Sequence, residues 1–118
     1  MYFDLSKRDK KIAKAAIDKG VNAEFKMGLE NAEAVITGWH KGNLDNKEAY
    51  HKLYQAIKQQ DKRIAQRYDD LGGSRYLFTV TCILYDGQIT EDDVKDFSDE
   101  AKEQMNRWIA FFQKREVK

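Results

Sequence analysis

The sequence predicts an all-α fold, a bundle of five to six helices around a buried central helix at residues 76–85. Three observations predict it. The 118-residue chain has no proline, the residue that most strongly interrupts helices. Average usage would supply about six. Apolar residues recur at helical spacing in nearly every segment, and no segment alternates with period two. One run alone, Tyr76 to Tyr85 (YLFTVTCILY), is apolar nearly all round, broken only by Thr79 and Thr81. Its Thr, Val, Ile and aromatic content favours a strand. A lone strand would leave unpaired backbone groups along both edges, whereas a helix satisfies its own. The length suits a single all-helical domain over residues 1–118 with one core.

The elements follow in order. Ser6, with Asp9 three residues on, resembles a capping box and opens the first helix. Leu5, Ile12, Ala16 and Ile17 mark its apolar side, and Gly20 is the expected stop. Asn22 caps the second helix. Phe25, Leu29, Ala32, Ile36 and Trp39 then follow at spacings of 4, 3, 4 and 3, a heptad seam for packing along another helix. Gly28 and Gly38 interrupt it, each costing about 1 kcal/mol against alanine, and imply close approach by a neighbour. Residues 41–46 (KGNLDN) form a turn.

Asp45 or Asn46 caps a third, continuous helix. Its seam runs through Tyr50, Tyr54 and Ile57, breaks at Asp61, and resumes at Ile64, Tyr68 and Leu71 before Gly72 and Gly73 end it. Ser74 caps the central helix, and Asp86-Gly87 turns the chain. Thr90 with Asp93 forms a capping box for a short helix through Phe97. Ser98 starts the last helix, with Ala101, Met105, Trp108 and Phe112 as its stripe. Asp99 and Glu100 lie in its first turn, and Lys114, Arg115 and Lys118 near its end, the signs the helix dipole favours. The second, third and last helices are expected to pack around residues 76–85.

Chemistry is more excluded than indicated. The net charge is +1, with 21 basic and 20 acidic residues, so bulk electrostatics selects no partner. Cys82 is the only cysteine, so it forms no internal disulfide and is expected as a small core residue. The first residues lack an apolar signal-like stretch, and no run is long enough to cross a bilayer. The expectation is a cytoplasmic protein with no membrane partner and no cofactor.

DGQITEDD, residues 86–93, resembles the second half of an EF-hand calcium loop. With Gly87 in the glycine place, the first and third ligand positions fall on Cys82 and Leu84, which supply no carboxylate. Ala16, Gly20, Val21 and Leu29 approach the spacing of a helix-turn-helix. Lys26, however, stands where an apolar residue should lock it, and Glu24, Glu30 and Glu33 would repel phosphate. His40 and His51 have no Glu-x-x-His or His-x-x-x-His spacing. No nucleophile elbow or phosphate loop is present, and the protein is expected not to be an enzyme. Were it one, a histidine in a pocket would have to carry the reaction.

What remains is interaction. The sequence predicts a small non-enzymatic protein that binds a protein partner or self-associates. The candidate surface is the tyrosine stripe Tyr50, Tyr54 and Tyr68, because tyrosine places an apolar body inside and a hydroxyl at the rim. With it goes the acidic stretch at Asp92, Asp93 and Asp96. Residues 86–103 hold two lysines against eight acids, which suits a basic partner or the basic first helix of the same chain. The alternative is nucleic-acid binding through Lys7, Arg8, Lys11 and Lys14 of the first helix with Lys62, Arg63 and Arg67 of the third.

Overall fold

Absence of proline has its largest consequence at the start of the chain. In the computed structural model, which describes residues 2–116, α1 runs unbroken from Lys7 to His40, 34 residues. The expected stop at Gly20 does not occur. Asp9, Ala13, Ala16, Gly20 and Glu24 are all buried and lie at spacings of 4, 3, 4 and 4 along one face. Gly20 belongs to this stripe as a small residue at a packed position. Glycine in mid-helix costs about 1 kcal/mol, which burial of the flanking positions offsets.

Three further α-helices follow: α2 (Asn46–Tyr68), α3 (Tyr76–Tyr85) and α4 (Asp99–Glu116). Every regular element among the described residues is an α-helix or a 3-10 turn, so the all-α expectation holds. The number does not: four α-helices stand where five to six were expected. Two segments merged at Gly20. The other loss is the short helix through Phe97, which is only a 3-10 turn, Glu91–Asp93. Val94 and Phe97 are both buried, and their N–H groups donate to Glu91 and Val94 in successive tight turns. Val94, at φ −117° and ψ 0°, leaves the α region, so the turn does not continue as a regular helix.

The chain divides into two compact units, one made of the residues up to Gly20 together with Asp70 onward, the other of Val21–Asp69. In the first unit α3 is the buried helix, with the bounds the sequence predicts. Leu77, Val80, Thr81 and Ile83 are fully buried, and the Thr81 hydroxyl donates to the Leu77 carbonyl at 2.7 Å, so its polarity is satisfied locally. Phe78 meets Trp108 and Phe112 of α4 edge to face at 5.2 and 5.9 Å, a geometry aromatic rings favour. Cys82 is half-buried, less enclosed than expected.

Two caps in this unit differ from expectation. Ser6 accepts from the Asp9 N–H at 3.1 Å, but the Asp9 carboxylate does not turn back to complete a box. It accepts instead from the backbone N–H and hydroxyl of Ser98, at 3.1 and 2.6 Å, fixing α1 to the start of α4. Ser74 does not cap α3: a 3-10 turn, Gly73–Arg75, leads straight into it. Ser74 accepts from the Phe3 N–H at 2.8 Å instead. Thr90 and Asp93 form the expected reciprocal box. Lys114 and Arg115 fall in the last turn of α4, while Lys118 lies outside the described residues.

The second unit is a helical hairpin of α1 residues 21–40 and α2. Asp45 is the N-cap of α2, accepting from the Glu48 N–H at 2.8 Å, and α2 is continuous through Gln60 and Asp61 as expected. It ends at Tyr68, short of Leu71, because Asp70 takes a left-handed φ of 56° that no helix continues through. Gly28 lies under Gln60, whose Cγ would be 3.1 Å from an added Cβ, whereas Leu44 leaves 3.6 Å at Gly38. Gln60 is tethered to Glu24 and has little room to yield. Gly38→Ala should therefore stabilise the hairpin by about 0.5–1 kcal/mol, while Gly28→Ala should give no gain. Thermal melts of the two variants check this, and equal gains would show that Gln60 yields freely.

The second, third and last helices of the sequence-based expectation were to surround α3. Only α4 does so within the first unit. Phe25, Leu29, Ile36, Trp39 and Ile57, expected in packed seams, are instead exposed on the hairpin, as are Tyr50 and Tyr54, the tyrosines expected at a partner surface. A two-helix layer offers each helix one neighbour, so only one stripe per helix is covered.

Candidate interaction surface

The hairpin is antiparallel, since Trp39 Nε1 donates to Asn46 Oδ1 at 2.7 Å and Gln60 Nε2 donates to Glu24 Oε2 at 2.7 Å. Its contact line runs through Glu24, Gly28, Val35 and Gly38 on α1 and Ala49, Leu53, Ala56 and Gln60 on α2, all buried or half-buried. The exposed apolar residues stand one position further on: Phe25, Leu29, Ile36 and Trp39 against Tyr50, Tyr54 and Ile57. One residue rotates a helix by about 100°. In an antiparallel pair the same rotation on both helices points to the same side. The exposed residues therefore share one face of the hairpin.

That face is apolar along most of its length. Leu29 and Tyr50 are each 72% exposed, Tyr54 62% and Phe25 53%. Single exposed apolar residues need no explanation, but a contiguous patch marks an interaction site. Near the turn a hollow of about 280 Å³ opens, lined by Val35, Ile36, Trp39, Ala49, Tyr50 and Leu53, with Asn46 at its edge. The Trp39–Asn46 hydrogen bond fixes the indole at the hollow's wall.

Beneath the other end lies a buried carboxylate. Glu24 is fully buried, and its Oε2 accepts from Gln60 Nε2 and, at 3.1 Å, from Arg63 Nε. Burying a carboxylate is costly unless it is paired and hydrogen-bonded, and these partners meet that need. From the sequence Glu24 stands with Glu30 and Glu33 as a charge that would repel phosphate, and its burial is not expected. Its one signal is its place on the Asp9–Ala13–Ala16–Gly20 stripe, four residues after Gly20.

The expected partner residues are placed as follows. Tyr50 and Tyr54 lie on the apolar face. Tyr68 does not join them as an exposed ring: it is half-buried and its hydroxyl is enclosed with no hydrogen-bond partner. Burial, opposed by the nearby Arg67, raises its phenol above the ordinary value. The acidic residues belong to the first unit. Asp92 pairs with Lys95 at 2.9 Å. Asp93 pairs with Lys19, and Asp96 sits beside Lys7, Arg8 and Lys11 in a surface hollow. The acidic stretch thus meets the basic face of α1 within its own chain.

Lys19 and Asp93 stabilise each other's charged forms. The Lys19 ammonium, then the Thr90 N–H, holds the Asp93 carboxyl below its ordinary 3.8. A carboxylate with a lowered folded pKa contributes stability above its unfolded value and loses it as pH falls through the folded value. Asp93→Asn should therefore be less stable than wild type near neutrality. The gap should close only below about pH 4. Urea unfolding from pH 7 to 2 checks this, and a gap independent of pH would remove the ion pair as its cause.

The basic residues of the nucleic-acid alternative are divided between the units. Lys7, Arg8, Lys11 and Lys14 are in the first, where Lys14 lies 6.0 Å over the Tyr76 ring. Lys62, Arg63 and Arg67 are in the second, where Arg63 is engaged by Glu24. His40 and His51 each lie beside the preceding aromatic, tilted against Trp39 at 4.8 Å and edge-on to Tyr50 at 6.0 Å. Among the described residues no three His, Cys, Asp or Glu side chains are grouped to hold a metal ion. No helix there is long and apolar enough to cross a membrane. Compared with protein-family models, curated proteins and solved structures, the chain matches none.

Proposed function

We propose that this chain is a non-enzymatic interaction protein that binds another protein chain through the apolar face of its α1–α2 hairpin. The observation that carries this reading is the exposed line of Phe25, Leu29, Ile36 and Trp39 beside Tyr50, Tyr54 and Ile57. Tryptophan and tyrosine, which this face carries at Trp39, Tyr50 and Tyr54, are residues in which binding hot spots are enriched. A hollow walled by an anchored indole adds a pocket for a partner's side chain.

The test is photo-crosslinking from the full chain in the cells that express it. A photoreactive residue replacing Tyr54 should yield discrete protein adducts. The same residue replacing Glu103, exposed on α4, should yield none. Equal labelling from both positions, or none from Tyr54, removes the hairpin face as the binding surface.

A further inference from the structure

We infer that the partner seated on the hairpin face is an acidic amphipathic helix, laid along the groove between α1 and α2 with its acidic flank toward α2. The product is a three-helix bundle. This rests on the reading of the hairpin as a protein-binding face and names the chemistry of its partner.

A helix is what the face fits. Its exposed residues follow at spacings of 4 and 3 on both helices, Phe25 to Trp39 on α1 and Tyr50 to Ile57 on α2. Two such lines side by side pack along the apolar seam of a third helix. An extended partner would need an open sheet edge, and no strand is present among the described residues. Phe25 and Trp39 are 14 residues apart, about 21 Å of helix, so about four turns of a partner cover the line. The hollow near the turn then receives one large side chain of the partner's seam.

Charge sets the sign of the partner. Two residues rotate a helix by about 200°. Positions two away from the contact line therefore lie toward the outer edge of the hairpin. On α2 these include Lys47, two before Ala49, and Lys58, two before Gln60. His51 and Lys62 complete the line at spacings of 4, 7 and 4. All four are exposed. No acid stands on this edge. Glu48, one position before Ala49, turns to the opposite face, and Asp61 lies within the apolar face. Over the whole of α2, six lysines and arginines stand against two acids. Lys47, Lys58 and Lys62 form no ion pair among the described residues, whereas Lys19, Lys95 and Arg107 of the first unit are each paired. Lys58 leans over the Tyr54 ring, 5.9 Å from its centroid, which sets its charge at the border of the apolar face. The matching edge of α1 carries Lys26, Glu30 and Glu33, of mixed sign. A helix with acids on its α2 side meets only cations there, and a basic one meets repulsion.

Fluorescence anisotropy of labelled peptides with the full chain tests this. The probe is a three-heptad helix with a leucine seam, glutamate along one flank and glutamine along the other. Its control carries lysine in place of glutamate. The glutamate peptide should bind with a Kd of roughly 1–100 µM. It should bind at least about tenfold tighter than the control, by a margin that narrows as salt is added. Lys58→Glu should weaken the glutamate peptide about fivefold and strengthen the lysine peptide. Lys52→Glu makes the same charge change one position before Leu53, on the opposite face, and should shift neither by more than about twofold. Equal affinity for the two peptides, or equal effects of the two substitutions, overturns the proposal. A chain that takes up neither peptide but binds vesicles of equal parts phosphatidylserine and phosphatidylcholine gives the face to a membrane surface. One that takes up neither and sediments at twice its 13.8 kDa mass gives it to a second copy. Either result overturns the acidic helix. After any of these failures, discrete protein adducts from position 54 leave the interaction reading standing, and their absence removes both.

Discussion

Leu77→Ala should destabilise the first unit by about 3 kcal/mol, within the range for emptying a fully enclosed leucine site. Leu77 has no exposed surface and sits on α3 beside Val80 and Thr81, which are equally enclosed. Deleting its isobutyl group loses transfer energy and leaves a cavity, because neighbours this tightly packed relax only partly. Phe111→Ala is the matched control. Its ring is 45% exposed, so its loss should cost less than about 1.5 kcal/mol. The chain's two tryptophans stand one in each unit, Trp108 on α4 and Trp39 on the hairpin. In a Trp39→Phe background, Trp108 fluorescence in urea follows the first unit alone. Equal losses from the two substitutions would mean that α3 is not the centre of that unit.

Arg63→Met should be the most damaging change on the hairpin. It removes the Arg63 guanidinium from the fully buried Glu24 carboxylate. Breaking a wholly buried pair costs about 3–5 kcal/mol. Arg63 itself is about half exposed, and solvent screening reduces the expected loss to about 2 kcal/mol. Gln60 still donates to the carboxylate, which keeps the loss from being larger. Glu24→Leu with Arg63→Met should recover most of it, since apolar replacement of both partners removes the desolvation cost along with the attraction. Unfolding followed by Trp39 in a Trp108→Phe background, at one fixed protein concentration, measures the cycle. Additive losses in the double variant would show that the two residues act independently.

Legibility in the sequence followed the kind of interaction involved. Local signals were read well. The bounds of α3, the Asp45 cap, the Thr90–Asp93 box and the continuity of α2 all depend on residues within a few positions of one another. Signals with two physical meanings were not. Gly20 ends a helix or packs within one, and only the burial of Ala13, Ala16 and Glu24 on the same face decides between them. Asp9 completes a local box or reaches a distant helix start, and Ser98, 89 residues away, wins it. The tyrosine stripe was only partly read: Tyr50 and Tyr54 reach the surface, but Tyr68 is drawn inward.

By itself, the sequence determined that the chain is helical, because proline is absent, the apolar spacing is helical and the one greasy run has no strand to pair with. It also determined which residues form each apolar line, since periodicity places side chains on a helix without reference to anything else. Whether such a line is covered was decided only by the tertiary structure. Phe25, Leu29 and Tyr54 carry the same pattern as Ala101, Met105 and Trp108, yet the first set is exposed and the second buried. A heptad line records that a helix can pack, while the number of neighbouring helices determines whether it does.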